Sequence, residues 1–111
     1  MFDHTSPGAP ALLAFAGDLD IYAMDGFRSA LAAVPAKPVI VDLSGVTYIE
    51  AATVGELMRL RNRLDAAGQP LAVVAPPNSR PYRVLAITQT LELLHVRPTV
   101  EAAAEFTKTP R

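Results

Sequence analysis

The chain of 111 residues has no cysteine, which excludes disulfides, thiolate nucleophiles and cysteine-ligated zinc together. It has no tryptophan, and only 6% of its residues are aromatic although 50% are hydrophobic. The core must therefore be built from Ala, Val, Leu and Ile, which suits closely packed helix-on-sheet layers. Neither sign of charge is in excess, since ten basic residues against eleven acidic give a formal net charge of −1. Such a balance supplies no broad field to steer toward phosphate backbones or anionic lipid, so nucleic acid is not an expected partner. No apolar stretch approaches the roughly 20 residues needed to cross a bilayer, and direct membrane insertion is not expected. Met1 to Pro10 carries Asp3, His4, Ser6 and two prolines where a signal peptide would have a basic start and an apolar run. The expected location is the cytoplasm, and the abundance of Ala and Arg is that of a GC-rich bacterial coding sequence.

The length suits one compact domain. The expected organisation is an irregular segment over 1–10, a single domain over 11–106 and a tail over 107–111. Ala11-Leu12-Leu13-Ala14-Phe15-Ala16 is a short continuous apolar run ended by Gly17, the pattern of a central strand buried on both faces. Met24, Phe27, Leu31 and Val34 then recur at helical spacing until Pro35 and Pro38. Gly26 inside this helix costs about 1 kcal/mol relative to Ala. Val39-Ile40-Val41-Asp42-Leu43 reads as a second buried strand closed by a turn at Ser44-Gly45.

The clearest helix runs from about Ala51 to Ala67. Val54, Leu57, Met58, Leu60 and Leu64 form one stripe, and Glu56, Arg59, Asn62, Arg63 and Asp65 take the other side. Gly68 is suited to a left-handed cap, and Pro70 cannot continue the helix. Leu71 to Ala75 repeats the buried-strand pattern, and Asn78 or Ser79 is placed to cap a third helix holding Tyr82, Val84, Leu85 and Ile87. A short strand is expected around His95 to Arg97, with Thr99 capping a last helix through Phe106. Strands alternating with helices over short connections imply a mainly parallel sheet with right-handed crossovers.

Positive signals for catalysis are lacking. His4 and His95 are the only histidines, and neither has a carboxylate or second His at ligand spacing, so no metal site is expected. Asp18 and Asp20 follow a strand, as metal-binding carboxylates of a phospho-receiver domain would. The only lysines, Lys37 and Lys108, are however misplaced for such a site, and turn and helix-start carboxylates are the simpler reading. The glycines are spread singly, with no phosphate-binding loop, and no serine occupies a nucleophile elbow. No cofactor is expected.

The informative segment is Val39 to Gly55, VIVDLSGVTYIEAATVG. It resembles STAS domains of the anti-sigma-factor-antagonist family, in which an apolar strand and an Asp-Leu-Ser-Gly-like turn lead to an Asp-Ser-Ser-Gly or Asp-Ser-Thr-Gly motif opening the second helix. Gly17-Asp18-Leu19-Asp20 is similar to the family's Gly-Glu-Leu-Asp. Leu85 to Leu94 is similar to its Leu-x-Leu-Thr-Gly stretch, and Pro98 to Ala103 to the start of its last helix. The resemblance spans about Ala11 to Phe106. It implies an α/β, STAS-type fold with a four- to five-stranded mixed, mainly parallel sheet packed with about four helices. The family often has an edge strand before the Ala11 strand, for which Met1 to Pro10 leaves little room; that strand is either missing or supplied by a partner in a homodimer.

The function implied is a regulatory protein-binding module whose partner is an anti-sigma factor or a related kinase-like ATPase-fold protein. In that family the Ser or Thr before the motif's Gly is phosphorylated by the partner, which blocks binding. Here Glu50 takes the Asp place, Ala51 and Ala52 the two hydroxyl places and Thr53 the Gly place. Ala52 has no oxygen to phosphorylate, so either the switch is absent or Thr53 is a displaced acceptor. A phosphate would suit the positive end of the helix dipole, but one residue turns the side chain by about 100° away from a kinase gripping the family's surface. Glu50 either mimics permanent negative charge or simply favours the dipole, worth about 0.3–1 kcal/mol. The expected partner-binding residues are Glu50, Ala51, Ala52, Thr53, Glu56, Asp18 and Asp20. Two other functions stay open: an accessory subunit of a membrane transport complex, and a small-molecule or nucleotide sensor.

Overall fold

The computed structural model describes residues 9–108. Its elements are β1 (Ala11–Leu19), α1 (Met24–Ala32), β2 (Val39–Ile49), α2 (Ala51–Ala66), β3 (Leu71–Val74), α3 (Arg80–Ile87), β4 (Val96–Arg97) and α4 (Val100–Lys108). The strands form one sheet in the order β1-β2-β3-β4, and every pairing among the described residues is parallel. An added antiparallel strand, the mixed component of the expectation, would fall on the N-terminal segment, of which residues 1–8 lie outside the described residues.

The central strands bury both faces. Val39, Val41, Leu43, Leu71 and Val73 join the core shared with α1, α2 and α3, while Ile40, Ala72 and Val74 meet Ala103 and Ala104 of α4. Period-two alternation with both sides apolar is what a covered parallel sheet requires. The α1 stripe of Met24, Phe27 and Leu31 is buried as its spacing predicts, and so are Val54, Leu57, Leu60 and Leu64 of α2. α2 stops as its sequence indicates. Gly68 has φ +71°, its N–H donates to Asp65 O at 3.0 Å, and the Gln69 N–H donates to Leu64 O at 2.9 Å, the paired bonds of a left-handed helix stop. Ser79 caps α3 by accepting the Tyr82 N–H at 3.3 Å, and Thr99 accepts the Ala102 N–H at 3.1 Å.

Four expectations are corrected. Among the described residues β1 pairs only with β2, and of its residues only Leu19 is buried, so the expected burial on both faces is not met. A continuous apolar run does not by itself separate an edge strand from a central one, because Ala14 and Ala16 tolerate exposure. Nor does Gly17 end the strand: β1 reaches Leu19 through register shifts between Ala14 and Ala16 and between Gly17 and Asp18, with Gly17 at φ +77°. Likewise Ser44-Gly45 is not a turn, since β2 runs through it to Ile49. The Ser44 N–H donates to Asp42 Oδ1 at 2.9 Å, and a Cβ at Gly45 would lie 3.2 Å from Phe15 O. The glycine thus marks a close approach of two strands at a bulge. The last helix also runs past Phe106 to Lys108, burying Thr107.

After α3 the chain passes through Gln89 at φ +60°, the position where the resembling family has glycine. A side chain in the left-handed region costs roughly 1–2 kcal/mol, offset in part by the greater freedom glycine has in the unfolded chain. Gln89→Gly is expected to raise unfolding stability by about 0.5–1 kcal/mol in urea titration. An unchanged or lower midpoint would mean the surrounding turn, not φ, sets the energy there.

Candidate functional site

The C-terminal ends of β1 and β2 and the first turn of α2 meet at one end of the sheet. Glu50 is the N-cap of α2, with extended backbone at φ −132° and ψ 179°, and Tyr48 Oη donates to its carboxylate at 3.4 Å. Ala51, Ala52 and Gly55 are exposed. Thr53 is not: it is 0% exposed. Its Oγ1 accepts the Glu50 N–H at 3.2 Å and donates to Leu19 O, also at 3.2 Å. The hydroxyl therefore satisfies the N–H of the N-cap of α2 and ties the first turn to the end of β1. This corrects the expectation of Thr53 as a presented residue, because a kinase would meet its hydroxyl only after the first turn had opened.

Glu56 is a second correction. The spacing assigns it to the polar side of α2, but it lies on the flank facing α1 and is 7% exposed. Its carboxylate takes Arg28 Nε at 3.0 Å and lies 3.7 Å from Arg59 Nε, and Arg28 also reaches Asp25 at 3.2 Å. Arg28 is pushed above its ordinary guanidinium value, first by the hydrogen bond to Glu56 and then by the charge of that carboxylate. The group works as a bridge between α1 and α2 and offers no open carboxylate to a partner.

The two earlier carboxylates serve local structure. Asp20 Oδ1 accepts the N–H groups of Tyr22 at 3.0 Å and Ala23 at 3.2 Å, shaping the turn into α1. Asp18, exposed on β1, accepts a hydrogen bond from Thr47 Oγ1 on β2. Between Asp20 and α1 stand Ile21 and Tyr22, 72% and 92% exposed, which sequence reading passed over. Ile21 continues the Met24 stripe backward by three residues, so periodicity disguises it as core; Tyr22, off the stripe, was the available signal. Both lie within three residues of Leu19, whose carbonyl is fastened to Thr53.

His95 lies elsewhere, with Nδ1–H donating to Leu71 O at 3.0 Å and its ring 4.3 Å from that of Phe106. His4 is outside the described residues. Among the described residues no group of three or more His, Cys, Asp or Glu is arranged to hold a metal ion, and no helix is long and apolar enough to cross a membrane.

Among the described residues, four helices on a four-stranded parallel sheet, with a helix N-terminus beside the end of β1, define a STAS-type α/β domain. The family model described as "Mlab, STAS domain" matches residues 2–98, and the chain belongs to this family. Its fold is similar to three solved structures. A sulfate transporter family protein from Wolinella succinogenes has a TM-score of 0.73 at 18% identity, covering 92% of this chain and 87% of that one. The protein TM1081, solved by NMR, gives 0.74 at 22%, covering 99% and 90%. The anti-sigma factor antagonist SpoIIAA in its unphosphorylated form gives 0.67 at 15%, covering 92% and 91%. No curated protein matches the chain.

Two measurements check this geometry. Thr53→Val keeps the shape but leaves Leu19 O without its donor, so a loss of about 1–3 kcal/mol in urea unfolding is expected, with Thr53→Ser much milder. Equal stability of the valine variant and the wild type would show that the hydroxyl anchors nothing. For the bridge, a double-mutant cycle of Arg28→Met and Glu56→Gln should return a favourable coupling that weakens as salt is added.

Proposed function

We propose that this protein is a regulatory binding module of the anti-sigma-factor-antagonist type that docks without a phosphorylation switch. One observation carries the reading: at the first turn of α2 the two exposed positions are Ala51 and Ala52, while the one hydroxyl in that turn, Thr53, is buried and bonded on both sides. No exposed oxygen stands there for a kinase to modify. The docking surface comprises Glu50, Ala51 and Ala52 with the Asp20 turn, Asp18 at its margin, and Ile21 and Tyr22 as apolar anchors. Large exposed apolar side chains beside a polar rim are the usual makings of a protein contact. Thr53 holds this surface together from beneath, and Glu56 braces α2 from the side. The module performs no catalysis, works in the cytoplasm, and takes an anti-sigma factor or a related kinase-like ATPase-fold protein as its partner.

A second reading, an accessory subunit of a membrane transport complex, is supported by the Wolinella neighbour's description as a sulfate transporter family protein. It places no demand on a hydroxyl at position 52. Both readings use the same surface and differ in what sits on it.

Affinity capture from the native host, with the bound proteins identified by mass spectrometry, separates them: a kinase-like anti-sigma factor supports the first, a permease with its ATPase the second. Ile21→Ser combined with Tyr22→Ser is expected to weaken capture at least tenfold, about 1.4 kcal/mol, with stability unchanged. Ala52→Asp should do the same by adding a buried charge at the contact. Capture at full strength by both variants would remove this surface from consideration. Specific nucleotide binding by the purified chain would instead favour a sensor.

A further inference from the structure

Away from the α2 N-terminus, a cleft of about 130 Å³ opens between α1 and α2. Its floor is Leu31, Ala32 and Leu60, and its walls carry Arg28, Arg59 and Arg63 with the carboxylate of Glu56, while Asp25 pairs with Arg28 at the rim, so guanidinium groups outnumber carboxylates by three to two. Ligand sites for whole small molecules run to roughly 300–1,000 Å³, so this volume suits one side chain. The cationic wall stands out in a chain whose formal net charge is −1.

The guanidinium groups are held in place. Arg63 Nη2 donates to Leu31 O at 2.7 Å and Nη1 to Val34 O at 3.2 Å, where α1 ends and its last carbonyls need donors. Arg28 is fixed by Glu56 at the other end of the cleft. Arg59 lies between them, its side chain 80% exposed, with Glu56 as its ion-pair partner among the described residues at 3.7 Å. From Glu56 to Arg63 is seven residues, about 10.5 Å along the helix axis. A partner helix with carboxylates seven residues apart spans the same length, and a residue three or four positions in from each falls over the apolar floor.

We infer that this cleft is a second docking site, separate from the α2 N-terminus, which takes an acidic amphipathic helix of a partner protein with one Leu or Phe inserted between Arg28 and Arg63 and carboxylates one turn to either side. The apolar anchor supplies burial, and the charge pattern fixes register and favours acidic partners over basic ones. The site needs no part of the surface around Ile21 and Tyr22, so either can fail alone.

The probe is a capped, alanine-rich helical peptide with a central Leu and Glu residues three and four positions away on its two sides, titrated into the isotopically labelled full chain and followed by NMR. Amide shifts are expected at Leu31, Ala32 and Leu60. Affinity should fall tenfold or more when the peptide's Glu residues become Gln and in the variant Arg59→Glu, and binding should vanish in Ala32→Phe, which fills the cleft. Arg59 and Ala32 are exposed, and melting temperatures measured in parallel confirm that the variants fold; Arg59→Gln, which sets no like charge beside Glu56, is the milder second variant and should also weaken binding. Undiminished binding by Arg59→Glu, shifts confined to Ile21 and Tyr22, or no shifts at millimolar peptide would overturn the inference. So would phosphatidylglycerol vesicles that bind through the same residues and displace the peptide, since the cleft would then read lipid.

Discussion

Thr53 Oγ1 receives the N–H of Glu50 and gives its own proton to the carbonyl of Leu19, 34 residues earlier in the chain. A hydroxyl can be donor and acceptor at once, and here both capacities are used inside the core. The bond to Leu19 joins the end of β1 to the start of α2. Strand ends and helix starts are where backbone polar groups run short of partners. The geometry of the exposed turn holding Ile21 and Tyr22, and of the alanines at 51 and 52, follows from that fastening.

The pair of helices on this face is secured differently. α1 and α2 share an apolar seam of Phe27, Leu31, Leu57, Leu60 and Leu64, yet a carboxylate sits at its margin. Glu56 is tolerated there because Arg28 crosses from the other helix to meet it. Half-exposed ion pairs contribute little to stability, but they discriminate between helix registers, since a slip of one turn leaves a shielded charge unpaired. Arg63 adds a second fixed point by donating to the end of α1. With both ends set by guanidinium groups, the middle of the seam is free to be open.

Much of this was legible in the chain. The stripes of α1 and α2, the Gly68 stop and the Ser79 and Thr99 caps are local signals, and local physics decides them. The family resemblance rested on residues 17–20, 39–55, 85–94 and 98–103, and the STAS-type fold it implied is the one observed. What could not be read depends on distant partners. Whether Ser44-Gly45 turns or bulges is decided by the Phe15 backbone lying against it, and whether Ala11 to Ala16 is central or at an edge is decided by which strands pair with it. Thr53 looks like any first-turn residue until Leu19 is brought beside it, and Glu56 looks solvated until Arg28 arrives. Exposure of Ile21 was hidden for the opposite reason, since it keeps the helical beat of residues that are buried.

The alanines at the head of α2 have a consequence for control. With no hydroxyl exposed in the first turn of α2, the proposed complex has no covalent off state at that turn, and without one the bound fraction follows mass action between two concentrations and one dissociation constant. Control of such a pair then rests on synthesis and turnover: the cell changes the outcome by making or degrading one of the two proteins, and the response is as slow, and as graded, as their accumulation.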